Sequence, residues 1–386
     1  MTPPKPADPS GRLGSIDALR GIALCGILLI NIFDMGGPIA MDRPMALPSL
    51  SDPDWQIWTV AQLFITGTMR GLFSMLFGIG LLIFIGNGGG TERVGLYLRR
   101  LILLLLFGIV DSTLLLWPGD ILIIYALAGV LLLMMHRLKP RQLVSAAAVI
   151  LLLLSAWAGH DAWGLSPEAT VYSPEMLARE GAARLGGYRQ AFDYMSYVSW
   201  SWTANALTFR WVGDAAAFML VGMALYKKGV FDGGFKPATL WAMVRYGYGI
   251  GLILRFLHSA LILSNEGAPT VLSALIDQPG RLAMTLGHVG LFLLLWRRGA
   301  APWSMARLAA MGRMALTLYL GQSLIAAWIF FGFGLGLWNR LSWPQLWLLA
   351  ITVLLAQAVF AAFWFKAFRF GPAEWLWRWG TYGKRP

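Results

Sequence analysis

A chain of 386 residues with 58% hydrophobic residues, 13% charged residues and a mean hydropathy of +0.62 is too apolar for a water-soluble protein of this size, and reads as a polytopic membrane protein. The formal charge of +12 does not mark a nucleic-acid binder, because the basic residues sit between apolar runs and not in one patch. A single cysteine, Cys25, excludes an intramolecular disulfide, and with four scattered histidines no metal cluster is expected.

The opening residues 1–14 are Pro-rich and polar, and the apolar run after them lacks a small-residue cleavage site, so it reads as a signal anchor. That run, Ser15 to Met35, carries Asp17, Arg20, Asn31 and Asp34. Eleven helical steps of about 100° separate Arg20 from Asn31 and return almost to the starting direction, roughly 16 Å further along the axis. Ionisable groups facing lipid are costly, so this polar stripe is expected to face the interior of a bundle and to line a site or a path.

Apolar stretches then place about ten spans near 15–34, 57–86, 98–116, 119–135, 143–160, 202–226, 241–263, 281–297, 314–336 and 345–367. WPGD is a tight turn between the third and fourth, and GNGGGTER and KPRQ are polar loops. Counting outward from a cytoplasmic N-terminus puts most of the 31 Lys and Arg in inside segments, so both termini are expected in the cytoplasm. The outward loops instead carry acids, among them Asp42, Asp52, Asp54, Glu168, Glu180 and Asp277.

The expected organisation is an all-α bundle: a tail at 1–14, a five-helix half at 15–160, an outward loop at 161–201, a second five-helix half at 202–370 and a tail at 371–386. The loop has helical periodicity and suits an amphipathic helix over the outer mouth. No fixed-period repeat relates the halves.

Inside the membrane, charges recur at helical spacing. Arg210 and Asp214 are four apart and expected to pair, Arg255 and His258 are three apart, and Arg281 and His288 share a face. Arg70 falls in a glycine-rich stretch, and Asp111 and Asp120 flank the outer turn. Asp17 with Arg20 reads as an ion pair at the inner edge. Asp17, Arg70, Asp120, Arg210, Asp214, Arg255 and Arg281 are therefore structural candidates. His258 and His288 lie within spans, where a desolvated neutral imidazole can act as a base.

At DALRGIALCGILLINI the sequence resembles the YeiB-type (DUF418) family of bacterial membrane proteins, a resemblance carried further by RGLFSMLFGIG, FGIVDSTLLLWPGD, GRMALTLYLGQSLI and FRFGPAEWLWR. The first span is also similar to that of the wider transmembrane acyltransferase superfamily, in which a polar residue follows the arginine of an Arg-Gly-Ile-Ala opening by eleven positions; here these are Arg20 and Asn31. The resemblance implies transfer of an acyl group, acetyl above all, from cytosolic acyl-CoA to a hydroxyl or amine on a glycan or lipid-linked acceptor beyond the membrane.

Such chemistry needs a base for the acceptor and donors for a tetrahedral oxyanion. On that implication Asn31, Asp34, Asp111, His258 and His288 are the catalytic candidates. Arg20, Arg99, Arg100, Arg297 and Arg298 are the candidates for CoA phosphates. The implied setting is the inner (plasma) membrane of a bacterium, with the lipid bilayer, acyl-CoA and the acceptor as partners, a second copy in a homodimer, and no metal. The alternative is a transporter or channel for a small polar or ionic solute, which lacks the support of repeat symmetry or of a matched pair of broken spans.

Overall fold

The computed structural model describes residues 14–39, 43–86, 90–205, 207–231 and 236–384, and every regular element among them is helical. The tail before Gly14, Asp42, Asn87 with Gly88 and Gly89, and Arg385 lie outside the described residues.

The first half runs α1 (Gly14–Gly36), α2 (Pro53–Phe64), α3 (Thr68–Ile85), α4 (Thr91–Ile109), α5 (Leu122–Met135) and α6 (Pro140–Ala162). The connection folds as α7 (Pro174–Arg184) and α8 (Tyr188–Thr203). The second half runs α9 (Leu207–Lys227), α10 (Pro237–Ser264), α11 (Val271–Arg297), α12 (Pro302–Arg313), α13 (Ala315–Phe330), α14 (Trp343–Ala367) and α15 (Pro372–Tyr382). Starts are set locally: Asp52, Ser173 and Ser342 precede a proline or near-proline first turn, and the Asp52 and Ser173 side chains accept the amides of Asp54 and Met176.

Every apolar segment read from the sequence falls on a helix. Among the described residues six stretches are long and apolar enough to cross a membrane, and a seventh if α12 and α13, bent by 81°, count as one span. Burial sorts them: 67% of the apolar window of α1 is buried inside the protein against 22% for α14, so α1 is central and α14 peripheral. α1 packs against α3, α11, α12, α13 and α14.

Two glycine contacts set the closest approaches. A Cβ on Gly21 would lie 2.1 Å from the Leu308 carbonyl oxygen, and one on Gly312 would lie 1.8 Å from that of Asp17, so α1 and α12 touch backbone to backbone. Gly78 and Gly222 do the same for α3 and α9.

Three features depart from the sequence reading. The expected single span at 57–86 is two helices, because the chain unwinds at 65–67 around Gly67, whose φ of +72° is left-handed. The eighth span begins at Val271 rather than near 281, since Thr270 and Ser273 form a capping box there. The outward loop does more than lie over the bundle. Glu180 and Arg184 on α7 are buried and paired at 2.7 Å, and Arg184 donates to the Met35 and Asp34 carbonyls at 3.0 and 3.1 Å, satisfying the end of α1. Glu180 in turn accepts the Ile39 amide at 3.0 Å and the Tyr172 hydroxyl.

Candidate functional site

The polar stripe of α1 opens on two cavities. At the end of the bundle where α1 finishes, a cavity of about 480 Å³ is lined by Asn31 and Asp34 from α1, Thr66, Gly67 and Arg70 from the broken second span, Trp117 and Asp120 from the turn after α4, Tyr125 from α5, and Asp277 and Arg281 from α11. Asn31 makes no side-chain hydrogen bond among the described residues, so its amide is free to serve a ligand.

The break at 65–67 explains the charges around this cavity. Unwinding leaves backbone carbonyls without helical partners, and in an apolar interior these must be satisfied by side chains. Arg255, fully buried, donates through Nε to the Gln62 carbonyl at 2.7 Å, and Arg281 adds a donor at 3.3 Å to the Gly67 carbonyl, which also accepts the Gly71 amide. His288 Nε2 lies 3.0 Å from the Phe64 carbonyl, and Thr285 donates to that of Thr68 at 3.2 Å. Arg281 grips Asp214 with a hydrogen bond at 3.0 Å and a second ion-pair contact at 2.9 Å, Arg70 adds a hydrogen bond at 3.2 Å, and Arg255 pairs with Asp277.

This network corrects the expected Arg210–Asp214 pairing and fixes where the two histidines lie. Arg210 does not pair with Asp214 four residues on; it reaches back to Asp161 at 3.1 Å, while Asp214 faces inward to Arg70 and Arg281. Neither histidine faces this cavity. His288 has both ring nitrogens engaged, Nδ1 accepting the Tyr248 hydroxyl at 2.8 Å, and His258 lies buried with Nδ1 at 3.0 Å from the Ser273 carbonyl.

At the other end, where α1 starts, a cavity of about 210 Å³ is lined mainly by apolar residues and by Arg20, Arg100, Arg313, Arg378 and Glu374. Arg20 pairs with Asp17 at 3.0 Å. The other three arginines are held against aromatic faces: Arg100 over Trp377 at 4.0 Å, Arg313 over Phe365 at 3.8 Å and Arg378 over Phe370 at 4.5 Å. Glu374 accepts the Leu316 and Thr317 amides at 2.7 and 3.2 Å and the Thr317 hydroxyl at 2.6 Å, capping α13. Burial nonetheless pushes its carboxyl above the usual range.

Of the five arginines expected to meet an anion, the structure brings Arg20 and Arg100 together. Arg99 turns to the Thr381 carbonyl at 3.5 Å, and Arg297 and Arg298 are exposed at the end of α11, away from both cavities. Arg313 and Arg378, which the sequence marks only as inside charges, stand in the motifs GRMALTLYL and GPAEWLWR.

Ile121 and Tyr125 line both cavities, so they form the partition. The Tyr125 hydroxyl bonds Ser74 at 2.7 Å and donates to the Arg70 carbonyl at 3.2 Å. Asp111, placed by a π-type turn at Val110–Leu114 that continues α4, is fully buried beside this partition and lines neither cavity.

The family described as "Protein of unknown function (DUF418)" matches residues 225–384. Similar proteins over nearly the whole chain are "Uncharacterized protein YxaH" of Bacillus subtilis, 29% identical over 99% of this chain and 97% of its own length, and "Uncharacterized protein YeiB" of Escherichia coli, 31% identical over 94% of each. An "Uncharacterized 39.9 kDa protein in amylase 3'region" of Bacillus acidopullulyticus is 28% identical over 97% of this chain and 95% of its own.

Proposed function

This chain belongs to the DUF418 family that includes YeiB, and from that premise we propose that it is a transmembrane acyltransferase, passing an acyl group from acyl-CoA on one side of the membrane to a hydroxyl or amine on the other. The observation that carries the reading is the pair of opposed cavities that share Ile121 and Tyr125 in their walls. A slender acyl-pantetheine arm suits the apolar inner cavity, with Arg20, Arg100, Arg313 and Arg378 offering guanidinium groups to the phosphates at its mouth. The acceptor would occupy the larger polar cavity, where Asn31 supplies an uncommitted amide to a developing oxyanion and Arg70, whose side chain is 42% exposed, orients the acceptor's oxygens.

In this reading about ten spans cross the inner (plasma) membrane of a bacterium, both termini are cytoplasmic, and the arginine-lined cavity opens to the cytoplasm, in keeping with the positive-inside distribution of the basic clusters. The unwound second span, stabilised by Arg255 and Arg281, gives specific support to a second reading, a transporter for a small polar solute, because such breaks line substrate paths.

Label transfer decides between them. Protein reconstituted in vesicles with radiolabelled acyl-CoA on the arginine side is expected to deliver label to an amine or hydroxyl on the far side, and to be thermally stabilised by acyl-CoA. Arg100→Ala with Arg378→Ala should remove the stabilisation, and Asn31→Ala the transfer. If acyl-CoA neither binds nor donates, while a solute crosses, the transporter reading replaces this one.

A further inference from the structure

Between the two cavities lies a buried polar cluster that no hydrogen-bond network completes. Asp111, on the π-type turn, is 0% exposed, and its carboxyl faces the Asp120 carboxyl and the Ser323 hydroxyl without a well-formed hydrogen bond to either. Beside it are Asp120, with one oxygen accepting the Ile123 amide at 2.9 Å, and Ser323 of α13, whose hydroxyl faces the Asp111 carboxyl. Tyr319 of α13 stands next to Asp120, its oxygen accepting the Ile121 amide at 3.1 Å, and the buried indole N–H of Trp117 faces that tyrosine. Among the described residues neither Asp111 nor Asp120 is ion-paired with a basic side chain. Arg184 is the charged group near Ser323 and Trp117, across a void of about 10 Å³, and it is already paired with Glu180.

Two adjacent carboxylates buried without a countercharge would bear a prohibitive desolvation and repulsion cost, so the cluster must hold a cation of some kind. The surrounding groups choose which. Trp117, Tyr319 and Ser323 all carry hydrogens to give, and an N–H donor cannot ligate a metal ion. The position is equally informative: Asp120 lines the larger cavity and Tyr319 the smaller one.

We propose that Asp111 and Asp120 form a shared proton-binding site that joins the two cavities through Tyr319. On the acyl-transfer reading, on which this role rests, the Asp120 carboxylate takes the proton from the acceptor O–H or N–H as its heteroatom bonds the thioester carbonyl carbon. The C–S bond then breaks, and the proton returns by way of Tyr319 to the departing CoA thiolate, so protons and electrons balance without a further reactant. Asp120 is the catalytic residue; Asp111 is a positioning residue that spreads the proton over two carboxyl groups.

Infrared difference spectra of the purified protein in lipid nanodiscs, recorded between mildly acidic and mildly alkaline buffer, test the site without any substrate. A protonated-carboxyl band is expected in the wild type, absent or displaced in Asp111→Asn and in Asp120→Asn, and displaced in Tyr319→Phe. Ser323→Ala, which alters only a neighbour, should also displace it and serves if the asparagine variants fail to fold. A spectrum unchanged by any of these substitutions overturns the proposal, as does stabilisation of the wild type but not of Asp111→Asn by sodium at constant pH, which would mark a metal-cation site. In the label-transfer assay Asp120→Asn should lower the rate about 10² to 10⁴-fold, and Asp111→Asn should shift the pH profile. Because the spectra need no acyl-CoA, a proton site without label transfer refutes the acyltransferase reading alone, and label transfer with unaltered spectra refutes the relay alone.

Discussion

Replacing Arg255 by methionine isolates what the broken second span costs to hold open. The guanidinium is 0% exposed, pairs with Asp277 and donates through Nε to the Gln62 carbonyl at 2.7 Å. Removing one partner of a buried ion pair costs about 3–5 kcal/mol, mostly through the charge left behind. Asp277 is 29% exposed on the cavity and keeps Arg281 at 3.7 Å, which places its share at the low end, about 3 kcal/mol. An unpaired Gln62 carbonyl adds about 1 kcal/mol, for a total of about 4 kcal/mol. Adding Asp277→Asn removes the stranded charge and should recover about half of that loss, since charge and not shape is the larger part. Reversible unfolding in mixed micelles across the double-mutant cycle measures both quantities. A single variant within about 1 kcal/mol of wild type, or a double variant that loses the sum of the two singles, would refute the argument.

Asn31→Ala should leave stability within about 0.5 kcal/mol, because the amide serves no protein partner, and yet cut label transfer by about 10² to 10³-fold; equal loss of both would make the residue structural. Gly312→Val drives a side chain into the Asp17 carbonyl, 1.8 Å from the new Cβ, so α12 must leave α1, and acyl-CoA should no longer raise the melting temperature. Glu374→Ala strips the start of α13 of three donors' partner and should cost about 1–2 kcal/mol in unfolding experiments. The pH dependence of the same residue has a definite sign. Burial raises the folded carboxyl above its ordinary value of 4.5, so the native state binds the proton more tightly than the unfolded chain. Its contribution is full below that ordinary value and is lost as pH rises through the folded one. Glu374→Gln should therefore flatten stability against pH over that window, and an unchanged slope would count against it. Arg184→Met strands the 0%-exposed Glu180 carboxylate, and a loss below about 2 kcal/mol would show that α7 is not what secures the end of α1.

How much was legible beforehand differs between the two cavities. The helical turn alone put Arg20 and Asn31 on one face of α1, and the cost of lipid-facing charge turned that face inward; both residues do line cavities. Residues whose role depends on a partner distant in sequence could not be placed this way. Arg210 and Asp214 share a helical face, but Arg281, 67 residues later, and Arg70, 144 residues earlier, outcompete the neighbour four away. The break at Gly67 was hidden in an unbroken apolar run, because hydropathy does not record φ.

Composition and periodicity by themselves determined that this is a helical membrane protein, and the run of motifs placed it in its family, since both are properties of the chain read locally. Only the tertiary structure decided that one stripe feeds two cavities, that Arg255, Arg281 and His288 mend a broken helix, and that Arg313 and Arg378 join Arg20 around one opening. Those facts arise where helices meet, and a contact between helices has no fixed spacing in sequence from which to be read.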